Sequence, residues 1–287
     1  MTAKPEPVLA AGAALGESPI WDDRTNTLLW VDIHRRQVHR FDPASGRNRT
    51  VTLDQPVGSV ALRQGPGLIA AVGLSLGALD EEAGEFAPWH TVPEGERFND
   101  GACDPAGRYL AGTLTDSPGG AALYSLEPSK ALRRLLADVT LSNGLAWSPD
   151  EQTLYYIDTV LERIDAFDYE TNTGSLGARR TVVDLRNSPG RPDGLTTDTD
   201  GNLWVAMAKG AAIRCYDPSG LLLDLITLPV PVVTSCTFGG PDLSDLYITT
   251  GQWPATQDQL ASYPDAGAVF RLRGTGSKGR PVYRFAG

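Results

Sequence analysis

Apolar positions along the chain fall in short runs that alternate or are β-branched. Leu28-Leu29-Trp30-Val31-Asp32, Leu154-Tyr155-Tyr156-Ile157-Asp158 and Leu203-Trp204-Val205-Ala206 are three of them. Turn pairs such as Pro149-Asp150 and Asp200-Gly201 separate the runs. No long stretch carries apolar residues at helical spacing, so the pattern predicts an all-β chain. The same unit also recurs: a short strand, a Gly/Pro/Asp turn, then a second apolar strand. It begins near Ser18, Gly58, Asp100, Asn143, Asp193 and Ser235. Anchored on Ile20, Val60, Ala102, Leu145, Leu195 and Cys236, successive units step by 40, 42, 43, 50 and 41 residues.

Six strand–turn–strand units at that period predict a six-bladed β-propeller. Burial is the reason for repetition. One four-stranded blade cannot cover both of its apolar faces, whereas blades stacked radially cover each other and leave few edges exposed. A parallel β-solenoid is the competing architecture, and the paired strands with hairpin turns count against it. The last apolar segments, Val269–Leu272 and Val282–Phe285, supply one or two strands, so residues near Pro7-Val8-Leu9 are expected to complete the last blade. On this reading residues 1–287 form one domain without a linker.

Lys+Arg is 25 and Asp+Glu is 35, a formal net charge of -10. That balance repels phosphate backbones and argues against nucleic acid as a partner. The three cysteines (Cys103, Cys215, Cys236) are odd in number and far apart, which indicates neither a disulfide framework nor a CxxC zinc site. Val8–Leu15 is too short and too rich in Gly and Ala for a signal peptide or a membrane span. A cytoplasmic protein without a membrane partner is expected, and a closed propeller suits a monomer.

In a propeller the start of each innermost strand faces the central channel. The polar residues there are Glu17 in the first unit, Asn99 and Asp100 in the third, Asn143 in the fourth and Asp193 in the fifth, with Ser59 and Ser235 in the second and sixth. Any one Asn-Gly or Asp-Gly alone is ordinary turn chemistry. Carboxylate and amide side chains that four blades place at one repeat position, converging on one axis, are what a hard divalent cation needs.

The segments Gly16-Glu17-Ser18-Pro19-Ile20-Trp21, Arg97-Phe98-Asn99-Asp100-Gly101, Ser142-Asn143-Gly144-Leu145-Ala146-Trp147 and Pro192-Asp193-Gly194 closely resemble the SMP-30/gluconolactonase/regucalcin-like family. So do Phe238–Asp242 and Tyr263–Phe270, and the match runs in order over almost the whole chain. The resemblance implies a six-bladed propeller with one catalytic divalent metal held by Glu17, Asn143 and Asp193, and with Arg97 and Asn99 binding substrate. Some members carry an acidic residue after the Gly-Thr pair that contacts the sugar. Here the stretch after Gly112-Thr113 reads Leu114-Thr115-Asp116, which makes Asp116 the candidate.

The activity implied is metal-dependent hydrolysis of a sugar lactone, an aldonolactone such as gluconolactone, xylonolactone or arabinolactone. Asp193 is the candidate general base for the attacking water. Calcium, magnesium, manganese, zinc and iron(II) all suit such ligands. Two rivals stand beside it: an organophosphate or phosphotriester hydrolase on the same scaffold, and a calcium-binding interaction module without catalysis. Gly73-Leu74-Ser75-Leu76-Gly77 fits the G-x-S-x-G pattern, but inside a β-repeat it lacks the strand-to-helix elbow the nucleophile needs. Trp21, Trp30, Trp147 and Trp204 recur at repeat positions and are read as packing between blades.

Overall fold

The computed structural model describes residues 4–287. Among them are six four-stranded antiparallel sheets. Going outward, the first blade runs Gly16–Asp22, Thr27–Asp32, Gln37–Asp42 and Arg47–Thr52. The inner strands of the next five blades are Val57–Leu62, Arg97–Cys103, Ser142–Trp147, Arg191–Thr197 and Val233–Gly239. Each inner strand packs on the inner strands of both neighbouring blades, and the sixth packs on the first, so the ring is closed. The fold is the six-bladed β-propeller that the repeat predicts.

Alternation along the second strands explains the stacking. In Tyr109–Leu114, Tyr109 and Ala111 pack toward the second blade, whereas Leu110 packs toward the fourth. One apolar cluster fills each of the six inter-blade spaces. Trp21, Trp30, Trp147 and Trp204 are all buried in these layers. The three cysteines are buried thiols.

Closure of the last blade follows expectation, with one of the chain's two last apolar segments serving as a strand. Glu6–Leu9 pairs antiparallel with Val269–Leu272, so an N-terminal strand completes the blade that the chain's end begins. Val282–Phe285 is not a strand of any blade. The outer edge it would have needed is taken by Glu6–Leu9, and the segment crosses the channel end of the ring instead. On the way the tail bonds to several blades in turn. The Gly279 N–H donates to the carbonyl of Leu243, the Thr199 N–H to that of Lys278, and the Tyr283 hydroxyl to Glu151. Phe285, fully buried, exchanges backbone bonds with Leu62 and Gln64.

Candidate active site

All six inner strands carry a β-bulge near their start, and the polar residues of interest sit on it. Register breaks between Glu17 and Ile20, Phe98 and Gly101, Asn143 and Leu145, and Pro192 and Leu195. A bulge bends the strand and re-aims a side chain that the pleat would direct at a neighbouring blade. Here it brings Glu17, Asn99, Asn143 and Asp193 together from four blades, all buried.

The glycines after Asn143 and Asp193 serve this convergence rather than a turn. A Cβ on Gly144 would lie 2.8 Å from the Asp193 carbonyl oxygen, and one on Gly194 2.1 Å from Ser235 Oγ. Neither glycine has a positive φ. What each provides is close approach of adjacent inner strands, so the Asn-Gly and Asp-Gly pairs report packing at the axis.

The approach segments are pinned by two carboxylates that end the second strands of the first and fourth blades. Asp32 accepts the N–H groups of Ala14 and Leu15 at 2.8 and 3.1 Å, just before Glu17. Asp158 does the same for Thr140 and Leu141 at 2.9 and 3.0 Å, just before Asn143. Asn143 Nδ2 donates to Thr159 Oγ1 at 2.9 Å, and that hydroxyl donates to the Pro192 carbonyl at 2.8 Å. The chain Asn143–Thr159–Pro192 thus ties one oxygen donor to the strand that carries Asp193.

Two features leave this cluster short of positive charge. Asn143 Oδ1 is buried with no hydrogen-bond partner. Burial pushes the carboxyl of Glu17 well above the usual range, with the Asp193 and Asp100 charges adding to the effect. Burial does the same to Asp193, the nearby Asp100 charge adds, and the Asn143 amide and Arg97 oppose it. Asp100 is pushed up to about 6 by burial, against the stabilising Gly101 N–H. Like charges without a compensating cation are costly at such a site. Two carboxylates and an unpaired amide oxygen are a donor set that fits a hard divalent cation. Among the described residues no three His, Cys, Asp or Glu side chains alone form such a group; the amide is a necessary member.

Arg97 stands beside the carboxylates. Burial lowers it to about 10 while Glu17, Asp193 and Glu96 hold it up, so it stays a cation at neutral pH. Its Nη1 donates to Asn99 Oδ1 at 2.9 Å and to the Phe98 carbonyl at 2.9 Å, and Asn99 Nδ2 donates to the Ser142 carbonyl at 2.8 Å. Asn99, with both ends engaged, orients the guanidinium. The sixth expected residue lies elsewhere. Asp116 is exposed on the loop after Tyr109–Leu114, and its N–H donates to Glu96 Oε1 at 3.2 Å. Thr159, Asp32, Asp158 and Glu96 did not emerge from the repeat. The one available signal was that two apolar second-strand runs both end in Asp.

Comparison with known proteins follows the same axis. A family model described as SMP-30/Gluconolactonase/LRE-like region matches residues 15–252. Regucalcin of Bos taurus is 41% identical over 295 residues, covering 99% of both chains. A crystal structure of a calcium-binding protein, regucalcin, from Agrobacterium tumefaciens superposes with a TM-score of 0.92 at 27% identity, covering 99% of this chain and 98% of that one. A luciferin-regenerating enzyme superposes with a TM-score of 0.87 at 30% identity, covering 98% and 99%.

Proposed function

This chain belongs to the SMP-30/gluconolactonase/LRE-like family, and from that premise we propose that it hydrolyses a sugar lactone at the axial site with a divalent cation held by Glu17, Asn143 and Asp193. The observation that carries the proposal is the buried, unpartnered Asn143 Oδ1 in the cluster that also buries the carboxylates of Glu17 and Asp193. The family description names gluconolactonase, and one solved relative is described as calcium-binding. Calcium, magnesium, manganese, zinc and iron(II) are the candidate ions.

Glu17, Asn143 and Asp193 would hold the cation, which would supply a Lewis acid for the lactone carbonyl oxygen. The chain's own residues do the rest. Arg97, held by Asn99, donates hydrogen bonds to substrate oxygens and fixes the ring over the site. Asp193 removes a proton from the attacking water as its oxygen bonds to the carbonyl carbon. The ring C–O bond then breaks, and the proton on Asp193 passes to the departing oxygen, leaving the hydroxy acid. Protein stripped of metal should be inactive on aldonolactones and regain turnover with one or more single cations. Asp193→Asn should lower kcat by roughly 10³-fold, in the middle of the range that loss of a general base costs. Full activity in that variant would remove Asp193 from the mechanism.

The calcium-binding description of the Agrobacterium tumefaciens relative supports a second reading, cation binding without turnover. A protein that binds a cation at this site yet hydrolyses no lactone would favour it.

A further inference from the structure

Arg97, which stands beside the axial carboxylates, also lines a groove between the second and third blades with a volume of about 620 Å³. Its polar lining is Arg97, Glu96, Gln55, Ser75 and Thr91. The groove is shaped by specific contacts. The N–H of Phe98 donates to the carbonyl of Gly73, a lining residue, at 2.7 Å, which ties the two blades together beside the groove. Gly73 has no side chain where Gln55 lies: a Cβ there would fall 1.9 Å from Gln55 Oε1. Ser75 and Thr91 hydroxyls bond to each other at 2.8 Å across the outer wall. One Glu96 oxygen accepts from the Asp116 N–H, no arginine pairs with Glu96 among the described residues, and the adjacent Arg97 is engaged with Asn99 and Phe98.

From this we infer that the groove is a subsite for the polyhydroxy side chain of the lactone, with Glu96 and Gln55 as specificity-determining residues. The inference rests on the lactone reading of the axial site and extends it outward. Arg97 offers only donors, Glu96 only acceptors, and the Gln55 amide both. Together they complement adjacent hydroxyls, each of which donates one hydrogen bond and accepts others. The volume falls within the range of small-molecule sites. The carboxylate beside Arg97 in the groove is Glu96, while Asp116 contributes its backbone to hold that carboxylate in place.

The test compares a six-carbon aldono-1,4-lactone, which carries a two-carbon hydroxylated side chain, with a four-carbon one that carries none. Each is assayed with metal-loaded protein, alongside a titration of the linear polyol sorbitol by calorimetry. Glu96→Gln keeps an oxygen for the Asp116 N–H but removes the charged acceptor. It should cut the six-to-four preference in kcat/KM about tenfold, the loss expected for one charged hydrogen bond, mostly through KM. Gln55→Ala should move the ratio in the same direction. Turnover with an unchanged ratio in both variants would overturn the subsite while leaving lactone hydrolysis standing. If neither lactone is hydrolysed, the lactone reading fails and the titration decides: sorbitol binding weakened about tenfold in Glu96→Gln keeps the subsite, and absent or unaltered binding overturns it.

Discussion

Arg97 illustrates how much a single side chain depends on its support. It is a largely desolvated guanidinium that keeps its charge because Glu17 and Asp193 face it, and it keeps its direction because Asn99 accepts from it. Arg97→Ala removes orientation and should raise KM for lactones about tenfold with a smaller change in kcat, a split that steady-state kinetics resolves. His39 is a second case, far from the site. It stacks on Trp30 with ring centroids 3.9 Å apart, and its Nδ1 lies 3.0 Å from both Asn48 Nδ2 and Thr50 Oγ1. The Asn48 amide nitrogen can only donate, so Nδ1 is its acceptor and the ring is neutral. Burial lowers its pKa from 6.5 to about 4. The unfolded chain therefore binds this proton below 6.5 while the folded chain resists until about 4. Stability from neutral His39 is complete above 6.5 and is lost as pH falls toward 4, by up to roughly 3 kcal/mol. Urea unfolding at pH 7 and pH 4.5 should show that difference in the native protein and much less of it in His39→Gln. Residues of this kind were hard to find in the sequence. Glu17, Asn143 and Asp193 were legible because the repeat places them at one position, whereas Glu96 and Thr159 matter only through neighbours 20 and 16 residues away.

At the scale of the strand, the bulge is the decisive element. The sequence signals the inner strands by their apolar residues, but not the register break that turns Glu17, Asn143 and Asp193 toward the axis. Asn-Gly and Asp-Gly suggested turns because glycine is a turn residue; the strands instead use it for close approach. Gly144→Ala would press a methyl group to 2.8 Å from the Asp193 carbonyl oxygen, a backbone atom that cannot swing aside. It should cost about 1–3 kcal/mol, as overpacking does, and should weaken cation binding more than a distant change of equal cost. Chemical denaturation and a cation titration on the same variant measure both. The segment Val282–Phe285 shows the opposite limit. It has strand composition, but an edge to pair with is a tertiary property, and Glu6–Leu9 already occupies that edge.

For the whole molecule, six blades explain why one site can be assembled from residues 17, 97, 99, 143 and 193 without any long loop. Each inner strand needs only a local bulge, and ring closure supplies the convergence. The closing N-terminal strand and the tail that bonds beneath the blades both hold that ring together. The fold was legible from the period of the repeat because burial between blades imposes it. The groove beside Arg97 was not, since its walls come from two blades and from a glycine whose missing side chain is its contribution. In the proposed site the unpaired amide oxygen of Asn143 joins fold to function, and Asn143→Leu removes that atom while keeping a branch at Cγ. The most direct measurement is lactone hydrolysis during titration of a divalent cation into metal-stripped native protein and into Asn143→Leu. Cation-dependent activity in the native protein, with a titration midpoint shifted at least about tenfold higher in the variant or no activity at all, is the expected result. Hydrolysis without added cation, or identical titration curves for the two proteins, would contradict a metal held by Asn143 at the centre of this ring.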